Sequence, residues 1–274
     1  MFTLNCWGKL LVLDTPVVMG IINATPDSFY KGNINEDMLA LDHSMIADGA
    51  AILDIGGQST RPGSERITAS EEIQRVVPVI EAIHAKFPGT IISIDTYSSK
   101  VAVAAVQAGA SIVNDISAGS MDDAMLSTVA ALKTPYICMH MQGTPATMQQ
   151  QPHYDDVAKE VLDFFISKTA ACKKAGITDI IIDPGFGFGK TIAHNFSLLK
   201  KMQVLQLLDT PVLAGLSRKS TVYKTINTSA DRALNGTTVL NTLALMNGAS
   251  ILRVHDVKEA IEAITLYNAY KKAP

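Results

Sequence analysis

Charge and aromatic side chains are both sparse in this chain. Of its 274 residues, 18% are charged and 6% aromatic, whereas an average soluble domain carries about 25% charged residues. Little is left over for solvated tails or linkers. With 47% hydrophobic residues, the chain reads as a core-rich globule and not as a disordered or fibrous protein. Positive charge is not in surplus either: 23 basic residues face 26 acidic ones, a formal charge of −3. With no basic excess to displace counterions from a phosphate backbone, no nucleic-acid partner is expected. Cysteine is scarce, at Cys6, Cys138 and Cys172. An odd, widely spaced trio builds neither a disulfide framework nor a paired-thiolate zinc site, and buried thiols are expected. The uncharged stretch from Ala233 to Leu252 holds Gly, Ser, Thr or Asn at nine of twenty positions, so no membrane partner is expected. MFTLNCWGKLLVLDT lacks the cationic opening of a secretory signal, and a cytoplasmic location is expected.

What is abundant is short β-branched runs separated by helical spacers. Strands are predicted at 17–23, 50–57, 90–96, 111–116, 135–141, 179–185, 211–217 and 250–256. They are apolar on both faces, as in a covered parallel sheet. Thr68-x-x-Glu71 is a capping-box signature opening a helix to about Lys86, with Pro78 a candidate kink. A second long helix is predicted from Asp155 to Ala175, ending before Gly176. The strands alternate in their entry: Pro16, Pro88, Pro135 and Pro211 precede the odd ones, and Gly49, Gly109, Gly176 and Gly248 precede the even ones. Eight βα units without a linker point to one domain over residues 1–274, a single (β/α)8 TIM barrel of α/β class. A doubly wound open sheet is the competing architecture. Residues 3–13 are predicted to form a short N-terminal β-hairpin across the barrel bottom.

Barrel enzymes work at the carboxyl ends of their strands. Those ends carry Asn23, Gln58, Asp95, Asn114-Asp115, His140, Asp183, Ser217-Arg218-Lys219 and Arg253/His255. PGFGFGKT (184–191) invites comparison with a phosphate-binding P-loop, but Pro184 stands where that motif needs Gly. A flexible loop or a mobile lid after Asp183 is the reading left. HExxH, paired Cys/His and GxSxG motifs are missing, which argues against zinc and serine-hydrolase chemistry.

The loops taken together resemble a known family. GIINATPDSF (20–29), GGQSTRPGS (56–64), SIDT (93–96), VNDI (113–116), DPGFGFGK (183–190), GLSRKS (215–220) and RVHD (253–256) are similar, in order and spacing, to dihydropteroate synthases. The resemblance runs from about residue 17 to 256 and implies a pterin-binding barrel. Such enzymes join 4-aminobenzoate to the methylene carbon of 6-hydroxymethyl-7,8-dihydropterin diphosphate and expel pyrophosphate. It implies that Asp95, Asn114 and Asp183 hold the pterin edge, with Lys219 over its ring. Arg253 and His255, two apart on one strand face, would bind diphosphate, unless Arg253 only pairs with Asp256. Thr60 and Arg61 would add contacts, Ser220 would meet the aminobenzoate carboxylate, and Phe29, Pro62 and Phe188 would wall its slot. Asp95, Lys219, Arg253 and His255 are the expected catalytic set. The resemblance further implies Mg²⁺ held by Asn23, and a homodimer. A pterin-binding methyltransferase domain and a catalytically silent pterin-binding paralogue are the alternatives.

Overall fold

Two-residue periodicity decides where the side chains of this chain go. A computed structural model describes residues 1–24, 29–30, 33–34, 36–58 and 66–274, with side chains described outside 25–41 and 59–65. An N-terminal antiparallel hairpin, β1 (Phe2–Cys6) and β2 (Lys9–Leu13), pairs Phe2 with Leu13 and Cys6 with Lys9. Strand β3 (Val17–Asn23) follows, then a short ribbon of β4 (Phe29–Tyr30) and β5 (Asn33–Ile34). The remaining strands are β6 (Ile52–Gly56), β7 (Ile91–Asp95), β8 (Ile112–Asp115), β9 (Tyr136–Met139), β10 (Ile180–Asp183), β11 (Leu213–Ala214) and β12 (Ile251–Val254). Helices alternate with them: α1 (Glu36–Ala47), α2 (Ala69–Lys86), α3 (Ser99–Ala108), α4 (Met125–Leu132), α5 (Val157–Ala175), α6 (Ile192–Lys201), α7 (Ser220–Thr225), α8 (Leu234–Met246) and α9 (Val257–Lys272).

The eight parallel strands run in the order β10-β9-β8-β7-β6-β3-β12-β11. The two ends meet: Ile182 bridges to Val212, and its N–H donates to the Pro211 carbonyl at 3.0 Å. The expected barrel is therefore present, and the open doubly wound sheet is excluded. Strand β11 is shorter than its apolar run, because the backbone leaves the ladder at Gly215 and turns back through Lys219 N–H to Leu216 C=O.

Inward-facing residues form layers. Met19, Ile52, Ile91, Ile112, Ile137, Ile181, Leu213 and Ile251 make an aliphatic floor, one per strand, and Leu4, Cys6, Leu11 and Leu13 of the hairpin pack beneath it. Asn5 N–H to Asp179 Oδ2 (2.8 Å) and Lys9 Nζ to Thr90 C=O (3.0 Å) pin the hairpin there. Each such aliphatic side chain stabilises the fold by about 1.5–3 kcal/mol when fully buried. Two residues further along, the inward position turns polar on five of the eight strands, at Asp54, Ser93, Asn114, Asp183 and Arg253, while Ile21, Met139 and Gly215 stand at that level on the other three. Outward residues such as Val18, Leu53, Ile94, Val113, Tyr136 and Leu252 join the larger core under the helices. All three cysteines are free and buried.

Helix ends follow their signatures. Thr68 and Glu71 form the full capping box on α2, and the helix continues through Pro78. The α5 helix starts after Asp156, whose carboxylate accepts from Ala158 and Lys159 N–H, and stops at Gly176 in a left-handed conformation, φ +98°.

Helix α2 also carries Glu72, 3% exposed, with Oε1 lacking a hydrogen-bond partner. Burial, against opposing contributions from Thr96 and Arg75, pushes this carboxyl up from 4.5 to about 7. Across that window the native state binds more protons than the unfolded chain, so stability falls as pH rises through it. Asp42, fully buried and raised from 3.8 to about 7, acts in the same direction. Glu72→Gln is expected to flatten the decline in melting temperature between pH 5 and pH 8. An unchanged slope in thermal melts would assign the pH dependence to other groups.

Candidate active site

The polar layer is organised around one guanidinium. Arg253 on β12 donates from Nε to Asp54 Oδ2 at 2.6 Å and from Nη2 to Asp95 Oδ2 at 2.6 Å. Asn114 Nδ2 reaches the same Asp54 oxygen at 3.0 Å. Four strands thus converge on one cluster because each places the residue two positions beyond its floor aliphatic, or four for Asp95, on the inner face. The Asp54 side chain is fully buried, Asp95 is 12% exposed and Arg253 21%. Burial opposes the Arg253 charge, but Asp54 and Asp95 outweigh it and hold the guanidinium charged. Burial raises Asp95 to about 7, with Arg253 pulling it down and Asp54 and Glu72 pushing it further up.

A second group stands opposite. Asp183, at the end of β10 and 5% exposed, accepts from Gly185 N–H at 2.8 Å through Oδ1. Lys219 Nζ donates to the Phe186 carbonyl at 2.5 Å and lies 4.7 Å from the Phe188 ring centroid. Burial lowers the Lys219 ammonium to about 8, opposed by Asp183 and reinforced by Arg253. Burial raises Asp183 in turn, opposed chiefly by Lys219. Gly215 leaves the space in which these groups meet. A β carbon there would stand 3.7 Å from Lys219 Nζ and 4.0 Å from both Asp183 Oδ2 and Arg253 Cβ.

The segment after Asp183 is a pinned turn. Lys190, 3% exposed, folds its ammonium back underneath it. Nζ donates to Gly185 C=O (3.0 Å), Phe188 C=O (3.1 Å) and His140 Nδ1 (2.9 Å), with the His140 carbonyl further off at 3.4 Å. Burial, then the Lys190 charge, pushes His140 down to about 3, so its ring is neutral and Nδ1 can accept. Gly185 has φ +66°, and a β carbon there would collide with the His140 carbonyl. Glycine is required at that position by both space and backbone conformation.

Two neighbouring loops are stitched together by consecutive pairs. Ser217 Oγ lies 2.9 Å from His255 Nδ1, and Arg218 grips Asp256 with Nε (2.9 Å) and Nη2 (2.6 Å). Asp256 is therefore the partner of Arg218, and the alternative in which Arg253 pairs with Asp256 is excluded.

Of the residues expected from sequence, the structure brings together Asp95, Asn114, Asp183, Phe188, Lys219 and Arg253. Ser220 is the first residue of α7, beside Lys219, and His255 sits two beyond Arg253 at the rim. Asn23 ends β3, exposed, in register with Gly56, which pairs with Asp95. Thr60, Arg61 and Pro62 lie outside the described residues, as does the Phe29 side chain. Gln58 accepts from Ile67 N–H at 2.9 Å, tying the two ends of that connection. Asp115 faces the outer core, where it accepts from Ser117, Gly119 and Tyr136. His140 belongs to the support of the turn. Sequence reasoning missed Asp54, Lys190 and the Ser217–His255 bond. An acidic residue at the middle of the otherwise apolar ILDIG was the available signal for the first. Among the described residues no group of three or more His, Cys, Asp or Glu could hold a metal ion.

The sequence profile of the pterin binding enzymes matches residues 19–255. The chain is 44% identical to Escherichia coli (strain K12) dihydropteroate synthase over 267 residues, 96% of this chain and 94% of that one. A solved Yersinia pestis dihydropteroate synthase in complex with a sulfonamide drug superposes with a TM-score of 0.93 at 40% identity, covering 99% and 100% of the two chains. The Xanthomonas albilineans enzyme with 4-aminobenzoic acid gives 0.91 at 41% identity, covering 99% of each. Both the methyltransferase and silent-paralogue alternatives lack support among these relatives. The chain belongs to the pterin binding enzymes and, among them, to the dihydropteroate synthases, transferases of folate biosynthesis.

Proposed function

We propose that the polar layer of this barrel is the site at which 6-hydroxymethyl-7,8-dihydropterin diphosphate and 4-aminobenzoate condense to 7,8-dihydropteroate and pyrophosphate. The observation that carries this is the facing arrangement of Asp54–Arg253–Asp95 with Asn114 on one side and Asp183–Lys219 on the other. The substrate arylamine is the nucleophile. Its nitrogen forms a bond to the pterin methylene carbon, the carbon–oxygen bond to diphosphate breaks, and the nitrogen loses a proton. The chain itself has to align the two substrates and stabilise the departing anion.

Asp183 and Asn114 present acceptors and an amide to the guanidine-like pterin edge, where a carboxylate can take two parallel N–H donors. Lys219, held by the Phe186 carbonyl and the Phe188 ring and attracted by the Asp183 charge, lays its stem on the pterin and directs its ammonium at the pterin oxygen. Asp95 keeps Arg253 in place beside it. Arg253 has five N–H donors, of which Asp54 and Asp95 engage two. It and His255 serve the diphosphate, together with Thr60 and Arg61 from the sequence that follows β6, while Ser220 meets the aminobenzoate carboxylate and Phe188 walls the slot.

The residues present fit Mg²⁺. Asn23 offers an amide oxygen at the exposed end of β3, adjacent in the sheet to the strand that leads to His255. A hard ion that keeps most of its water needs one or two protein oxygens beside the diphosphate, so a carboxylate cluster is not required. When bound, the ion would offset charge on the leaving diphosphate. A cytoplasmic location agrees with three free thiols. A second copy of the chain is proposed as partner, because Val239, Leu243, Met246, Leu266 and Tyr270 leave an apolar face exposed on α8 and α9.

Asp183→Asn is expected to fold normally and lose pterin binding, since an amide replaces one acceptor by a donor facing a donor. The lost charge-assisted pair costs about 1.5–3 kcal/mol, roughly ten- to a hundredfold in affinity. Calorimetry with pterin diphosphate giving an affinity within twofold of the parent would remove Asp183 from the site.

Binding is expected to be ordered, because the aminobenzoate slot needs residues from the connections 24–35 and 58–67 that the diphosphate and Mg²⁺ also engage. Titrating 4-aminobenzoate into the protein alone, then with Mg²⁺ and pyrophosphate, is expected to give at least tenfold tighter binding in the second case. Equal affinities would sink the ordered scheme. Light scattering on the same samples should report twice the chain mass, and a single chain mass would contradict the dimer.

A further inference from the structure

We propose that Ser217 is a positioning residue that fixes His255 in the Nε2–H tautomer and so aims a ring N–H donor at the leaving diphosphate. The inference deepens the reading of His255 above and rests on it.

Ser217 is 5% exposed and follows β11 on the loop that also carries Lys219. Its hydroxyl oxygen accepts from the backbone N–H of His255 at 3.2 Å and lies 2.9 Å from the same residue's Nδ1. The first bond has only one possible direction, because an amide N–H donates. The second has two. If Nδ1 carried the proton, Oγ would accept from both nitrogens of His255. The serine proton would then need another acceptor, and the described residues provide none for it. Leaving a buried hydroxyl proton unpaired is costly. If instead Ser217 donates to Nδ1, its hydroxyl takes one donor and places its own proton, which leaves the ring proton on Nε2. Nε2 is the ring nitrogen turned away from Ser217, and His255 is exposed at the barrel rim.

The surroundings hold this geometry rigidly. Arg218, the next residue, stands at φ +53°, a conformation rare for a residue with a side chain. It is kept there by the two-pronged grip on Asp256 and by its own N–H on Thr237 Oγ1 at 3.0 Å. Asp256 directly follows His255. The pairs Ser217–His255 and Arg218–Asp256 therefore act as adjacent stitches, and the loop after β11 cannot slide along the loop after β12 without breaking both. The same loop also sets Lys219 against Phe186 and Phe188. One short segment thus orients the cation at the pterin and the imidazole at the diphosphate.

The test uses ¹⁵N-histidine-labelled protein, with His255→Gln to assign the signal. In the parent, the ring nitrogens are expected to show a protonated Nε2 and an unprotonated Nδ1. Ser217→Ala is expected to mix the two tautomers and lower kcat by about tenfold, the effect of one lost transition-state donor orientation, with KM for 4-aminobenzoate unchanged. Ser217→Thr, which keeps the hydroxyl, is expected to restore the tautomer and most of kcat. A parent signal with the proton on Nδ1 would overturn the proposal, as would Ser217→Ala retaining the parent tautomer and kcat. An unfolded Ser217→Ala leaves the parent spectrum and the Thr variant to decide. A parent protein that releases no pyrophosphate would instead defeat the functional reading, whatever the spectrum shows.

Discussion

A half-buried guanidinium held between two carboxylates is the constraint on which the barrel's working end depends. Asp54, whose side chain has no exposed surface, cannot be left without its cation, and Arg253 is its ion-pair partner. Removing one partner of such a pair commonly costs about 3–5 kcal/mol, far more than the pair contributes over an apolar replacement. The cluster is therefore a device of placement more than of stability. It forces β6, β7, β8 and β12 to present their polar residues at one level, because the donors of Arg253 and Asn114 meet only if the strand stagger is right.

The barrel makes that arrangement affordable by separating its tasks along the strand. The aliphatic floor and the hairpin below it are dry and do the work of holding the closed sheet. One pleat higher, the inner face is free to be polar, since the helices outside supply a second, independent core. Lys190 shows the same division at the loops. Its ammonium is spent on Gly185, Phe188 and His140, and its product is a turn that sets Phe186 and Phe188 against Lys219. The carboxylates Asp54, Asp95 and Asp183 outnumber the cations Arg253 and Lys219, an imbalance that a ligand edge rich in N–H donors would complete.

Much of this was legible in the residues. Apolar runs bounded by Pro on one set of strands and Gly on the other marked all eight barrel strands, and the Thr68–Glu71 box and Gly176 marked helix ends to within a residue or two. The strand-end residues Asp95, Asn114, Asp183, Lys219 and Arg253 were named from motif resemblance and meet in space. What could not be read was pairing. Arg253 lies 199 positions from Asp54, and no local pattern says that an Asp inside ILDIG turns inward to meet it. The glycines of PGFGFGK suggested mobility, whereas a buried lysine one residue further on ties the turn down. Asp256 looked like a neighbour for Arg253, yet strand direction points the two side chains apart and gives Asp256 to Arg218. Chain distance hides such contacts, because they depend on barrel closure and not on local propensity.

The proposed role of Arg253 depends on its pairing with Asp54, and a single variant isolates that link. In Asp54→Asn the shape is kept and one buried negative charge is removed. Calorimetric titration with pterin diphosphate, paired with a thermal melt, reads the consequence for binding and fold together. A folded protein, a lower melting temperature and at least tenfold weaker pterin binding are expected, since Arg253 loses one of its two carboxylate supports. Parent-like affinity and parent-like melting in that variant would contradict that role.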